Sequence, residues 1–97
     1  MIELRELQIQ ALAELFSALS DPSRLKIIAT LAEGECNVSR LAAEIGLSES
    51  ATSHHLRGLR QLKLVRSRKE GREVYYSLHD EHVIQLYEIG REHVLHG

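Results

Sequence analysis

Over the first twenty residues, Leu4, Leu7, Ala11, Leu12, Leu15, Phe16 and Leu19 recur every three or four positions between polar neighbours. That period predicts an amphipathic helix with one apolar stripe. Asp21-Pro22 then sets a capping side chain before a proline in a first turn, and Leu25, Ile28, Ala29 and Ala32 carry a second helix that Gly34 ends. Asn37 is placed to cap a short third helix through Val38, Leu41, Ala42 and Ile45, stopped by Gly46. Ser48 caps a fourth, Glu49 to about Leu62, with Ala51, Leu56 and Leu59 turned inward. Then the period changes. Leu64–Lys69 and Glu73–Leu78 are short segments with β-branched or aromatic residues around Glu70-Gly71-Arg72, where Gly71 can take a positive φ, and they predict a hairpin. A last helix follows from Asp80. The expected architecture is mainly α (α+β), in the order α-α-α-α-β-β-α, as one domain over residues 1–97.

Helices three and four, joined through Gly46-Leu47, have the dimensions of a helix-turn-helix, and Ala42 permits the close crossing that such a turn requires. Helix four offers Ser48, Glu49, Ser50, Ser53, His54 and Arg57, the first five from the N-terminal half through which a recognition helix meets base edges. Hydroxyls and imidazole read bases or bind phosphate. Charge sharpens this picture. The whole chain carries −2, yet His54–Arg72 holds Arg57, Arg60, Lys63, Arg66, Arg68, Lys69 and Arg72 against Glu70 alone. That local +6 leaves −8 on the remainder, so the overall balance hides a basic footprint suited to DNA. Arg66, Arg68, Lys69 and Arg72 lie on the hairpin, which would form a wing against the neighbouring backbone. The expected fold is a winged helix-turn-helix.

Chemistry of a second kind sits in the last helix, in the pattern Asp80-x-His82-x10-His93-x2-His96. Eleven residues are about three helical turns, so His82 and His93 share a face, with His96 one turn beyond. Asp80 stands where an N-cap belongs. The same eleven residues span roughly 16–17 Å, while a metal ion needs its ligands within about 2.0–2.2 Å. One helix therefore cannot enclose one ion. Two antiparallel copies can: positions 82 and 93 share a midpoint with Leu86 and Ile89, so a two-fold axis near Tyr87 and Glu88 sets each His82 against the partner helix's His93 position. Two equivalent sites result, each with Asp80 and His82 from one subunit and His93 and His96 from the other. Three imidazoles and a carboxylate suit Zn(II) or Co(II) in a tetrahedron; Ni(II) wants more ligands, and only His79 is near.

The motifs Asp21-Pro22-x-Arg24, Ser53-His54-His55-Leu56 and Gly71-Arg72-x3-Tyr76-x-Leu78 resemble those of the ArsR/SmtB family of winged-helix, metal-responsive repressors. The likeness runs from about Leu12 to His96. It implies a homodimer built on the first and last helices, in which the metal-free dimer represses a palindromic double-stranded DNA operator and inducer metal releases it. The family's common thiolate site has a Cys directly before the Val at position 38; here that residue is Asn37, and Cys36 is one early. The last helix instead matches members that sense zinc through Asp80, His82, His93 and His96. By analogy with them, His93 donates its second ring N–H to a backbone carbonyl at the end of helix four, near Leu64. Glu49 departs from the family, which often has Gln there.

Other classes are constrained as well. The single Cys36 excludes an internal disulfide and any paired-cysteine zinc motif. No Ser/His/Asp set, catalytic cysteine arrangement or glycine-rich phosphate loop is present, and four protein ligands leave no open position for a hydrolytic water, so an enzyme is not expected. No apolar run approaches the roughly eighteen residues of a membrane span, and the N-terminus lacks a signal-peptide layout, which together predict a cytoplasmic protein with no membrane partner. Two rival readings stay open: a winged-helix repressor answering to Ni(II) or to oxidation of Cys36, and a zinc-binding structural dimer with no role at DNA.

Overall fold

The structure, a computed structural model, describes residues 4–97. The domain expected over residues 1–97 therefore includes three residues, 1–3, that lie outside the described ones. The elements are α1 (Glu6–Leu19), α2 (Pro22–Ala32), β1 (Cys36–Asn37), α3 (Val38–Ile45), α4 (Glu49–Gln61), β2 (Val65–Glu70), β3 (Glu73–Leu78) and α5 (Glu81–His96). Among the described residues no helix is long and apolar enough to cross a membrane.

Capping explains most of the helix starts. Asp21 accepts from the Arg24 amide at 2.9 Å, Asn37 from that of Arg40 at 2.8 Å, and Ser48 from that of Ala51 at 3.0 Å. Each satisfies one of the N–H groups that a first turn leaves unpaired. Gly46 ends α3 in the left-handed region (φ 74°), and both its amide and that of Leu47 return to the Ala42 carbonyl. The chain is thereby turned into α4. That helix closes with Lys63 at φ 58°, a conformation usually left to glycine. Leu64 N–H reaches back to the Leu59 carbonyl at 2.9 Å and Lys63 N–H to that of Arg60 at 3.0 Å. Leu59 and Leu64 are both buried beside this double closure, which holds the end of α4 to the start of β2.

The hairpin has the expected place, with Glu70 ending β2 rather than lying in the turn. Val65 faces Leu78 and Glu70 faces Glu73, with Gly71 (φ 63°) in the turn. The sequence pattern missed one strand. β1 pairs antiparallel with β3, Cys36 opposite Tyr76, and makes a three-stranded sheet in the order β1-β3-β2. Two residues carry no periodicity, so no pattern announces it.

Ile27, Ile28, Leu31, Leu41, Ile45, Leu56, Leu59, Leu64, Val65, Leu78 and Val83 form the core. Two helix faces were not read fully from the period: that of α2, which it leaves open, and that of α4, where it differs. In α2 the buried residues are Ile27, Ile28 and Leu31, whereas Leu25 is 43% exposed and Ala29 and Ala32 are only half-buried. Apolar residues surround much of that helix, so period alone does not choose its face; packing against α3, α4 and β3 does. In α4 the inward residue is Thr52, fully buried, rather than the half-buried Ala51. Its hydroxyl donates to the Ser48 carbonyl at 2.8 Å, and a hydroxyl satisfied this way is cheap to bury.

Candidate DNA interface and metal-binding helix

Opposite the buried Thr52, Leu56 and Leu59, helix α4 turns Glu49, Ser50, His54 and Arg57 to solvent, with Ser53 half-buried among them. Ser48 is exposed, but its Oγ is occupied as the cap. The His54 and His55 rings meet edge-on, centroids 6.0 Å apart. A connection that sequence reasoning did not find braces this helix from behind. Arg24 of α2 donates from Nε to His55 Nδ1 at 3.3 Å, and its guanidinium lies over Gly58, where an added Cβ would come within 2.5 Å of Nη2. A glycine inside a helix costs about 0.5–1 kcal/mol relative to alanine. That cost was the available signal: Gly58 leaves room for Arg24.

On the hairpin, Arg66, Lys69 and Arg72 are exposed. Arg68 is engaged differently. Its Nε and Nη2 donate to the two carboxylate oxygens of Glu35 at 2.8 and 2.7 Å, and its Nη1 donates to Glu70 at 2.8 Å. The guanidinium carbon also stands 4.9 Å from the centre of the Tyr75 ring. Among the described residues, every Lys or Arg ion pair belongs to Arg68. The hydrogen bond from Arg68 holds the Glu35 carboxyl below the usual carboxylate range. The pair is therefore intact above that range and is lost only as pH falls through the lowered value.

At the start of α5, Asp80 accepts from the amides of His82 at 3.0 Å and Val83 at 3.3 Å, as an N-cap. Its other oxygen lies 3.3 Å from His79 Nδ1, and His82 Nδ1 is 3.5 Å from the capping oxygen. The contact with His79, chiefly, keeps the Asp80 carboxyl below its ordinary range. His93 and His96 sit exposed in the last turns of the same helix. Asp80 and His82 thus meet at one end, and His93 and His96 share the other. Among the described residues no three His, Cys, Asp or Glu side chains of this chain converge into a group able to hold a metal ion. The donor set at the two ends, imidazole and carboxylate with no thiol, fits a borderline ion such as zinc or cobalt. Cys36 is elsewhere, buried in β1, and burial pushes its thiol up.

A backbone hydrogen bond ties the approach to α5 to the end of α4. The Leu64 carbonyl, just past the closure of α4, accepts the backbone N–H of His79 at 3.0 Å. Several large apolar residues of α1 and α5 are also uncovered: Leu7 is 77% exposed, Phe16 52%, Ile89 69% and Val94 81%.

Comparison with known proteins bears on the fold and the family. The model of the bacterial regulatory protein arsR family matches residues 21–67, which hold α2 through the start of the hairpin. The chain is 53% identical over 87 residues to a transcriptional repressor SmtB homolog of Synechocystis sp., covering 90% of this chain and 66% of that protein. It is 45% identical over 93 residues to the HTH-type transcriptional regulator NmtR of Mycobacterium tuberculosis, covering 93% of this chain and 78% of the regulator. The cyanobacterial protein is thus matched over slightly less than two thirds of its length. Among solved structures, the homodimeric winged helix-turn-helix DNA-binding domain of Mb0332 from Mycobacterium bovis superposes with a TM-score of 0.85 at 29% identity, covering 100% of this chain and 96% of that one. The fold is a winged helix-turn-helix, and the chain belongs to the arsR family of bacterial regulatory proteins.

Proposed function

We propose that this chain is a metal-responsive transcriptional repressor, one winged-helix domain that acts as a homodimer. The metal-free dimer binds a palindromic operator through α4 and the wing, and Zn(II) or Co(II) at two intersubunit sites releases it. The observation that carries the reading is the split donor set of α5, with Asp80 and His82 at one end and His93 and His96 at the other. Each end is half of a four-ligand site, and the helix between them leaves Ile89 bare. An antiparallel partner helix completes both sites and covers that apolar surface.

In the DNA-bound dimer, Ser50, Ser53, His54 and Arg57 face the major groove, and Glu49 disfavours bases that present only acceptors there. Arg66, Lys69 and Arg72 neutralise phosphates beside it. A metal ion held at the α5 sites supplies a rigid crosslink between the two subunits. The route from that site to DNA begins at Asp80. His79, its neighbour in sequence, hydrogen-bonds through its backbone to Leu64, the residue on which α4 closes. A shift of the first turn of α5 is thereby passed to the end of the recognition helix. This route begins at the opposite end of α5 from the one expected through His93. A coupling of about 1–3 kcal/mol weakens DNA binding about 5–150-fold.

One observation favours a second reading of the metal. His79 Nδ1 lies 3.3 Å from Asp80 and offers an additional donor, which a Ni(II) site of higher coordination would use. Both readings meet one experiment. A duplex selected from random sequence is followed by fluorescence anisotropy during titration with Zn(II), Co(II) and Ni(II), for wild type and His82→Ala/His93→Ala. Release of wild type and not of the variant supports the sensor; binding that no metal reverses rejects it. Release by Ni(II) alone, lost in His79→Ala, favours the second reading.

A further inference from the structure

Among the described residues, one cation of the basic stretch is held in ion pairs. Arg68 shares an outward face of the sheet with Arg66, since alternate residues of a strand point the same way. Its cross-strand partner on that face is Tyr75, over whose ring the guanidinium lies. Both oxygens of Glu35, immediately before β1, take the fork of Arg68 at 2.7 and 2.8 Å, and Glu70 takes a third N–H at 2.8 Å. One side chain thus joins the approach to β1, the turn end of β2 and the middle of β3. Paired forks of this kind are strongly directional.

We propose, on the footing that the wing binds DNA, that Arg68 is the wing's positioning residue and that Glu35 and Glu70 withhold its charge from phosphate. DNA phosphate and a carboxylate present the same pair of oxygens to a guanidinium, so the two acids compete directly with the backbone for Arg68. Arg66, Lys69 and Arg72 have no carboxylate partner within 4.0 Å among the described residues and remain available. The acids therefore set how many phosphates the wing neutralises. They also fix the angle at which it meets the duplex.

Salt dependence separates these roles from simple stability. Each phosphate contact contributes about −0.9 to the slope of log affinity against log salt on double-stranded DNA. The experiment measures that slope with a labelled mixed-sequence duplex for wild type, Arg68→Ala, Glu35→Ala/Glu70→Ala and the triple variant, with circular dichroism to show that each is folded. Arg68→Ala should bind more weakly than wild type at an unchanged slope, and its amides around the hairpin turn should exchange faster. Removing both acids should steepen the slope by about 0.9. Adding Arg68→Ala to that pair should abolish the gain, which general loss of negative charge would not. A slope that falls by about 0.9 in Arg68→Ala, or one that stays at the wild-type value when both acids are gone, overturns the proposal. Absence of salt-dependent binding by wild type would instead overturn the DNA reading on which it rests.

Discussion

The half of the molecule built from α3, α4 and the hairpin and the half built from α1 and α5 handle their side chains in opposite ways. In the first, nearly every structural decision closes within the chain. Ser48 is a cap, Thr52 donates to Ser48, Arg24 braces His55, and Arg68 is held by Glu35 and Glu70. In the second, large apolar residues such as Leu7, Phe16, Ile89 and Val94 are bare, and the metal-capable groups stand in pairs at opposite ends of one helix. A surface that presents shape and charge to DNA has to be finished before its partner arrives. One that is completed by a second copy has to be left unfinished. The contrast is what the proposed dimeric sensor would require of a single chain.

Truncation of the core should separate the halves most clearly. Leu59 is fully buried between α4 and the sheet, and Leu59→Ala should cost about 2–5 kcal/mol in urea unfolding. Phe16→Ala, on the bare face of α1, should instead lower the midpoint in a way that depends on protein concentration. Equal, concentration-independent losses from both substitutions would erase the distinction.

A smaller effect is expected behind the recognition helix. In Gly58→Ala the new methyl displaces the flexible end of Arg24 from His55, while the helix gains the intrinsic preference for alanine. Stability should stay within about 1 kcal/mol of wild type, and affinity for the selected duplex should fall several-fold. Undiminished DNA affinity in this variant would show that Arg24 does not position α4.

Acid tests the wing. Because Glu35 is held below the ordinary carboxylate range, the stability that Arg68 adds is present at neutral pH and disappears as pH falls through that lowered value. The difference between wild type and Arg68→Ala, followed by thermal melts, should be constant near neutrality and close in acid. The smallest effect belongs to Cys36. Its thiol is buried and pushed up, so it should react slowly with alkylating reagents, and Cys36→Ser should leave metal-triggered release unchanged. Loss of that response would implicate the thiol in metal binding and contradict a site without it, whereas release by oxidant that Cys36→Ser abolishes would favour the redox reading.

What was legible in the sequence divides along physical lines. Asp21, Asn37, Ser48 and Asp80 announced helix starts because a cap acts within three residues, and Gly46 and Gly71 announced turns because a positive φ is a local demand. The spacing of Asp80, His82, His93 and His96 was readable because helical phase is arithmetic. Interactions between distant segments left no such trace. Glu35 and Arg68 lie 33 positions apart and Arg24 and His55 lie 31 apart; nothing local marks the first pair, and for the second Gly58 marks only the room left for a side chain, not which one fills it. The buried face of α2 was not readable because its apolar residues offer more than one stripe. β1 was missed because two residues are too few to show alternation.

Subunit mixing probes the proposed sharing of each metal site between two chains. Asp80→Ala/His82→Ala and His93→Ala/His96→Ala each destroy one half of every site in their own homodimer. In a heterodimer of the two, one site regains all four ligands. Titrating Co(II) into the unfolded-and-refolded mixture should restore the intense visible absorption of tetrahedral cobalt that neither variant gives alone. A mixture no brighter than its components, with heterodimers present, would contradict the shared site.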